Sequence, residues 1–487
     1  MGGSAINFAG LLIGTASQFA LVLALTQLLS KRNAGVFLIG FAIFRLAVIL
    51  FGLGTNMTAV RYVALGRGRG DSDFADRASR STIALSLVGG SIGAVTITSL
   101  SSLLADAFHA PQLKTVIVVL AVGIPFSTFT LAAAGAIRGS RRTSAAIFLD
   151  QIADNGFRFL GLLIGVVWAG SVTGAAVGFT LGGIFAGGTA CLLLPRRQLF
   201  GERLGKSDMK EMLRFTGFQW GTAVVGGAFR WTDSLLLGLW TSPSQVAVYS
   251  TATRTVWLGL VFVMPIVTAF QPLIAERSEA RDWTELRSLY RSAARLATTV
   301  GSSPLVLTAV CAAPLLATLY GESYRSGAAA LAFLAVGQAV NAATGPAATV
   351  ATMLGHSDVT LVINIVALVA NVALNIILIP AFGMTGAGVA WCLSLVLLSA
   401  LRFAQCRREI GVHVLDGWLV RALVAIAVGA GTSSAIVHFW QSAPEAGLVV
   451  VGFVSGMVVI PATMVLLGLR PGDMLPARVH PSGALSR

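Results

Sequence analysis

Apolar stretches of about twenty residues alternate with short polar breaks along the whole chain. Each is long enough to cross ~30 Å of hydrocarbon as a helix rising ~1.5 Å per residue. The pattern predicts fourteen spans, over 5–29, 35–57, 82–104, 114–136, 144–168, 171–194, 213–239, 245–271, 292–319, 327–353, 359–380, 384–405, 418–439 and 446–468. Spans five and six almost touch near Gly170, so a tight turn is expected there. The first stretch has no basic leader and is too long for a signal-peptide core, so it reads as a span. No intervening loop is long enough to hold a soluble domain. The expected fold class is all-α, a polytopic membrane protein with about 14 transmembrane helices.

Composition fixes the medium: 55% of the 487 residues are hydrophobic and 11% are charged, against roughly 25% charged in soluble domains. The few charges also set an expected orientation. Twenty-six of the 34 Lys and Arg residues follow even-numbered spans or lie in the tail, while Lys31, Arg32, Lys114 and Arg325 fall on the opposite side. By the positive-inside rule both termini are expected in the cytoplasm, with Lys31 and Arg32 running against the trend. Thirty arginines against four lysines, with abundant Ala and Gly, point to a GC-rich bacterium, so the expected location is a bacterial cytoplasmic membrane. The net charge of +14 then reflects this bias, with anionic membrane lipids as neighbours and no nucleic-acid footprint.

Cys191, Cys311, Cys392 and Cys406 have no metal-ligand spacing and no clustered histidine. "GRGRG" at 66–70 lacks the strand and the lysine of a phosphate loop. No catalytic group, metal or cofactor is therefore expected.

Part of the chain is said twice. "VTGAAV" at 172–177 returns as "MTGAGV" at 384–389, each opening an even-numbered span. Weaker echoes pair "VF" at 36–37 with "VY" at 248–249 and "DFAD" at 73–76 with "DWTE" at 282–285. These predict two parallel six-helix lobes, 1–195 and 212–406, joined by a cytoplasmic linker at 196–211. Two additional helices over 407–470 and a cytoplasmic tail at 471–487 follow. Parallel repeats are one of the designs of membrane transporters, with the substrate site between halves.

Seven charges sit inside apolar spans: Arg45, Asp150, Asp154, Arg158, Arg230, Asp233 and Arg254. Each costs about 2.5–3.5 kcal/mol at a helix centre on insertion scales, so they are expected to face a protein interior or a cavity. Arg230 and Asp233 share a helix face at i, i+3 and read either as a neutralising pair or as a substrate or gating pair. Asp154 can pair with Arg158 one turn on. That pairing leaves Asp150 with no arginine of its own in the helix and a like charge beside it, which favours easy protonation or exposure at the cytoplasmic mouth. Arg45 and Arg254 occupy the second helix of each lobe at near-equivalent depth. Gln18 and Asn371 complete the expected polar cavity lining, with Asn364 and Asn375 on the same stripe as Asn371.

Glycines at 178–188 form small-xxx-small steps suited to close helix approach. Pro125, Pro265, Pro314 and Pro346 mark kinks or hinges. Trp283, Leu286 and Tyr290 form an apolar face on a basic segment, expected to lie on the membrane surface.

The stretches "GVFLIGFAIFRL", "GLGTNMTAVRYVALGR", "GAIRGSRRT" and "RWTDSLLLGLWTSPSQVAVYSTATRTVWL" resemble the multidrug/oligosaccharidyl-lipid/polysaccharide (MOP) flippase superfamily over about 1–406. The closest likeness is to its Wzx-type polysaccharide transporters and the related lipid II flippases. The resemblance implies a helix-seven aspartate at Asp233 ahead of Val248-Tyr249, and cavity arginines at Arg45 and Arg254. Helix one departs from charged relatives by offering only Asn7 and Gln18. The cavity charges sum to a net positive value, which suits a pyrophosphate better than an organic cation.

The expected function is therefore flipping of a polyprenyl-(pyro)phosphate-linked oligosaccharide by alternating access around a basic cavity. Arg45, Arg254, Arg230 and Asp233 are the expected substrate contacts, and Asp150, Asp154 and Arg158 the coupling or gating groups. Spans thirteen and fourteen would line a groove for the lipid tail, and glycosyltransferases or a polymerase of the same pathway are the expected partners. The alternatives are a cation-coupled multidrug or metabolite exporter and a membrane-embedded polymerase or ligase. The short, nearly uncharged outer loops disfavour the enzyme.

Overall fold

A computed structural model of the chain describes residues 2–412, 417–440 and 443–469, and all regular structure among them is helical. The side chain of Asn7 and the expected 471–487 tail lie outside what is described. Among the described residues ten helices are long and apolar enough to cross a membrane, or eleven when Trp283–Val310 and Ala312–Tyr320, bent by 80°, count as one. Helices also occupy the remaining predicted spans. The first lies on Gly2–Leu28, the seventh on Lys206–Trp240, and the eleventh and twelfth share Ser357–Ile410. The all-α polytopic architecture is as the hydropathy pattern predicts.

Two compact units are present, Met1–Arg254 with Asn375–Met384, and Thr255–Leu374 with Thr385–Arg487. In the first, the chain runs α1 (Gly2–Leu28), α2 (Lys31–Phe51), α3 (Thr55–Gly68), α4 (Ser72–Ser99), α5 (Ser101–Ala107), α6 (Pro111–Val122) and α7 (Ile124–Gly139). It continues as α8 (Thr143–Ile147), α9 (Asp154–Ala169), α10 (Val172–Leu193), α11 (Arg196–Leu199), α12 (Lys206–Trp240) and the start of α13 (Pro243–Glu279). A six-residue π-helical turn, Phe148–Ala153, joins α8 to α9, so span five is one continuous run.

Local chemistry sets the helix ends. Side chains of Ser30, Asp71 and Ser171 accept from the backbone N–H groups of Asn33, Phe74 and Gly174, which closes open first turns. The tight turn between spans five and six forms because Gly170 takes a left-handed conformation (φ 56°) immediately before the Ser171 cap.

The backbones of α9 and α10 pack in direct contact. A Cβ added at Gly178 would lie 1.9 Å from the Gly161 carbonyl oxygen, and one at Gly165 would lie 2.1 Å from that of Gly174. Glycines on both helices therefore let the backbones touch, as the small-residue steps predict. On the other side, Ala59, Tyr62, Ala133, Ile137, Leu149 and Met212 form a core that binds α3, α7, the π-turn and α12.

The second unit holds α14 (Trp283–Leu296), a second π-turn (Ala297–Ser302), α15 (Ser303–Val310), α16 (Ala312–Tyr320) and α17 (Ala328–Ala343). After these come α18 (Ala347–Met353), most of α19 (Ser357–Ile410), α20 (Gly417–Phe439) and α21 (Glu445–Leu466). The long run α19 is broken at Gly383 (φ 55°, ψ −133°), a conformation that only glycine adopts cheaply. Predicted spans eleven and twelve lie on its two sides.

Three of the four singled-out prolines sit at breaks. Pro125 and Pro314 begin helices, Pro314 just after the 80° bend, and Pro346 separates α17 from α18. Pro265 lies inside an uninterrupted helix.

One expectation needs correcting. The apolar face of Trp283, Leu286 and Tyr290 does not lie free on a membrane surface. Leu286 and Tyr290 are fully buried against Phe270, Ile274, Cys406 and Ile410, and α14 runs on into span nine. Neighbouring helices cover Leu286 and Tyr290, while Trp283 at the start of α14 stays 38% exposed.

A candidate substrate-binding cluster

The site is built on α2, where Phe41, Phe44 and Arg45 follow one another at helical spacing. The Phe41 ring meets Trp231 of α12 edge-on at 5.5 Å and Phe179 of α10 at 5.5 Å. Phe44 meets the same Phe179 at 5.6 Å. This aromatic bed carries three guanidinium groups. Arg45 lies 6.0 Å from the Phe41 centroid, and Arg254 lies 5.9 Å from Phe41 and 5.0 Å from Trp231. Arg158 lies 4.8 Å from Phe179 and 5.5 Å from Phe44. The structure thus brings Arg45 and Arg254 to one ring. At these distances a guanidinium is attracted by the ring quadrupole.

The three aspartates are each taken up separately. Asp154 accepts from Arg158 Nε at 2.8 Å, the one-turn pair that spacing predicted. Arg158 also donates to Ser127 Oγ at 2.7 Å, and at 4% exposure it joins α9, α7, α10 and α2. Gly183 makes room for it, since a Cβ there would lie 2.6 Å from both terminal nitrogens.

Asp150 is not left alone as its own helix suggested. Arg138, at the end of α7, reaches it at 3.0 Å. The π-turn that carries Asp150 leaves carbonyls without their usual helical partner. The Asn155 amide donates to two of them, Asp150 O at 3.1 Å and Gln151 O at 3.2 Å. Arg45 lies within electrostatic reach of Asp154, Arg158, Arg230 and Asp150, so these groups form one cluster.

Asp233 does not pair with Arg230. Its carboxylate is buried, with Oδ1 accepting from the Ser234 backbone N–H at 2.7 Å and Oδ2 from the Tyr249 hydroxyl at 2.5 Å. Arg230 is an exposed side chain. Sharing one helical face is thus not enough to pair them, because the tyrosine from α13 satisfies the carboxylate at shorter range.

Gln18 is half-buried on α1, and Asn371 and Asn375 are fully buried on α19. Asn364 accepts from Arg402 at 3.1 Å.

The sequence reading named Tyr249 beside Asp233 but not their hydrogen bond, and it missed Arg138, Ser127 and the aromatic bed. Phe41, Phe44 and Arg45 at i, i+3, i+4 were a usable signal for the bed. Nothing local signalled Arg138, which acts across a turn.

The family model described as "Polysaccharide biosynthesis protein" matches residues 2–278, more than half of the chain. The chain belongs to this polysaccharide biosynthesis protein family. The MatE model also matches, over residues 228–377, and the superfamily resemblance read from the sequence is borne out.

The probable flippase AglR of Haloferax volcanii is 28% identical over 177 residues, 36% of this chain and 37% of that protein. The same organism's probable low-salt glycan biosynthesis flippase Agl15 is 22% identical over 202 residues, 40% of this chain and 41% of that protein. The chain thus aligns with well under half the length of these relatives.

In fold, this polysaccharide biosynthesis protein is similar to the lipid II flippase MurJ in an inward closed conformation. The TM-score is 0.74 at 12% identity, covering 96% of this chain and 98% of that one. A multidrug resistance MATE family transporter of the MOP superfamily, inward-facing, gives a TM-score of 0.71 at 18% identity. That match covers 82% and 94% of the two chains.

Proposed function

We propose that this chain is a flippase that carries a polyprenyl-(pyro)phosphate-linked oligosaccharide across the cytoplasmic membrane, serving cell-surface polysaccharide or cell-wall synthesis. The observation that carries the reading is the sharing of the Phe41 ring by Arg45 and Arg254. Two planar guanidinium groups on one aromatic support suit a (pyro)phosphate, which accepts paired N–H donors. Each of the three aspartates nearby is engaged by another residue. The family described as polysaccharide biosynthesis proteins supports a glycan-bearing cargo.

In this reading Arg45, Arg254 and the exposed Arg230 contact the headgroup, and Asp233 with Tyr249 fixes α12 to α13. Asp150 sits in a π-turn and is held across a loop by Arg138, so it is the group we assign to gating. Asp154 and Arg158 set the position of its helix. Lobes 1–195 and 212–406 would alternate access, and α20 and α21 would line the path of the lipid tail. Both termini would lie in the cytoplasm of a bacterium, and glycosyltransferases or a polymerase would supply and use the cargo.

The test is a gene deletion complemented with variants. Deletion should cause polyprenyl-linked oligosaccharide to accumulate and surface glycan to fall. Arg45→Ala and Arg254→Ala, present in the membrane at normal levels, should fail to restore glycan, and the lysine variants should restore it only in part. Normal glycan together with a large rise in sensitivity to cationic dyes would favour a drug exporter instead.

A further inference from the structure

A pocket lies in the first unit, with a volume of about 440 Å³. It is lined by Arg32, His109, Trp240, Thr241, Ser242 and Ser244, among others. Three separate segments meet here: the first turn of α2, the turn before α6, and the turn between α12 and α13. Gly35 allows this meeting, since a Cβ there would lie 1.8 Å from the Pro243 carbonyl oxygen.

The chemistry of the lining is one-sided. Arg32 and His109 are both exposed, and neither forms an ion pair among the described residues. The helix ends at this end of the unit carry Lys31, Arg32 and Lys114 against a single acid, Asp106, with the His109 imidazole between α5 and α6. His109 has a left-handed backbone (φ 51°), unfavourable for a side chain with a Cβ. Its neighbours Phe108 and Ala110 are buried, so the strained backbone turns the imidazole outward, onto the pocket wall. Trp240 is 45% exposed on the same wall, beside the hydroxyl-bearing run Thr241-Ser242. The bias that puts Lys and Arg at the other end of the molecule should have removed Lys31 and Arg32 from here. Their retention has a reason if this end meets an anion.

We infer that this pocket is a subsite for an acidic sugar, a pyranose ring stacked on Trp240 with its carboxylate or phosphate held by Arg32 and His109. The ring face of the indole supplies apolar area, the Arg32 guanidinium supplies charge-assisted hydrogen bonds, the His109 imidazole adds an N–H donor, and Ser242 and Ser244 suit sugar hydroxyls. Its place on the transport path rests on the flippase reading, in which this end is the outer one and the glycan passes it on leaving. Binding itself does not.

The experiment measures direct binding to the purified full-length protein in neutral detergent, by calorimetry and by saturation-transfer NMR. The probes are a glucuronyl-glucose disaccharide and its neutral counterpart, cellobiose. The acidic disaccharide should bind at least tenfold more tightly. Arg32→Ala and Trp240→Ala should each weaken it about tenfold or more at unchanged thermal stability, and Arg32→Lys and Trp240→Phe should keep part of the affinity. Arg45→Ala should bind the disaccharide normally whether or not it transports, which separates this subsite from the flippase reading. Equal binding of the neutral sugar, absence of binding at millimolar probe, or full affinity in both alanine variants would overturn the inference. Phosphatidylglycerol in nanodiscs that displaces the sugar through Arg32 without needing Trp240 would also overturn it, making the anion a lipid headgroup.

Discussion

Replacing Tyr249 by Phe removes one oxygen and should cost more stability than removing the whole charge of Arg230. The buried Asp233 carboxylate has two donors, the Ser234 N–H and the Tyr249 hydroxyl at 2.5 Å. A hydrogen bond to a charged group contributes ~1.5–3 kcal/mol, and a buried acceptor left unpaired adds a penalty of its own. Tyr249→Phe should therefore destabilise by about 2–3 kcal/mol. Arg230→Gln, at an exposed position outside that network, should stay within about 0.5 kcal/mol.

Equilibrium unfolding in mixed micelles, run on the single and double variants, measures both. The Tyr249–Asp233 cycle should give a coupling above ~1.5 kcal/mol, and the Arg230–Asp233 cycle one below ~0.5 kcal/mol. Asp233→Asn should recover part of the Tyr249→Phe loss, because a neutral amide is less costly to leave short of one donor. An Arg230–Asp233 coupling as large as that of Tyr249 would refute the reasoning. It would mean that the two charges pair after all and that the tyrosine is incidental.

Two further outcomes follow from the packing and from the charge bias. Gly178→Ala places a methyl 1.9 Å from a backbone oxygen, so α9 and α10 must part; loss of at least ~2 kcal/mol is expected, seen as a lower unfolding midpoint and poor recovery of monodisperse protein. In a Cys191→Ser background, which removes the exposed native thiol, cysteines at Gln245 and Arg325 should react with an impermeant maleimide on intact cells, and cysteines at Arg69 and Arg203 should not.

Much of the fold was legible because the bilayer imposes it: a span needs about twenty apolar residues, and apolar periodicity along the chain marks each one. The tight Gly170 turn and the glycine steps of α10 were visible because glycine is needed wherever backbones touch or φ turns positive. The site was legible in part. Asp154 and Arg158 lie one turn apart, so spacing alone found the pair. Asp150 and Arg138 belong to different helices, and the buried Asp233 chose a tyrosine on the next helix over an arginine on its own. Both partnerships depend on how helices are turned about their axes, which a linear pattern does not specify. The amphipathic look of Trp283–Tyr290 misled for the same reason: an apolar stripe is identical whether lipid or another helix covers it.

The π-turn at Phe148–Ala153 acts as a one-residue rotation of everything that follows it. An α-helix advances by about 100° per residue, and a π-turn absorbs one extra residue without lengthening the span appreciably. Were that residue deleted and the turn made α-helical, α9 would have to spin by roughly that angle or slide by one rise. Arg158 would then swing away from Ser127 and Phe179, and Gly161 and Gly165 would leave the seam with α10. The span would remain equally apolar and long enough to cross a bilayer. What this turn stores is therefore phase: two chains could match in hydropathy through span five and still present different faces to the helices around it, by the count of a single residue.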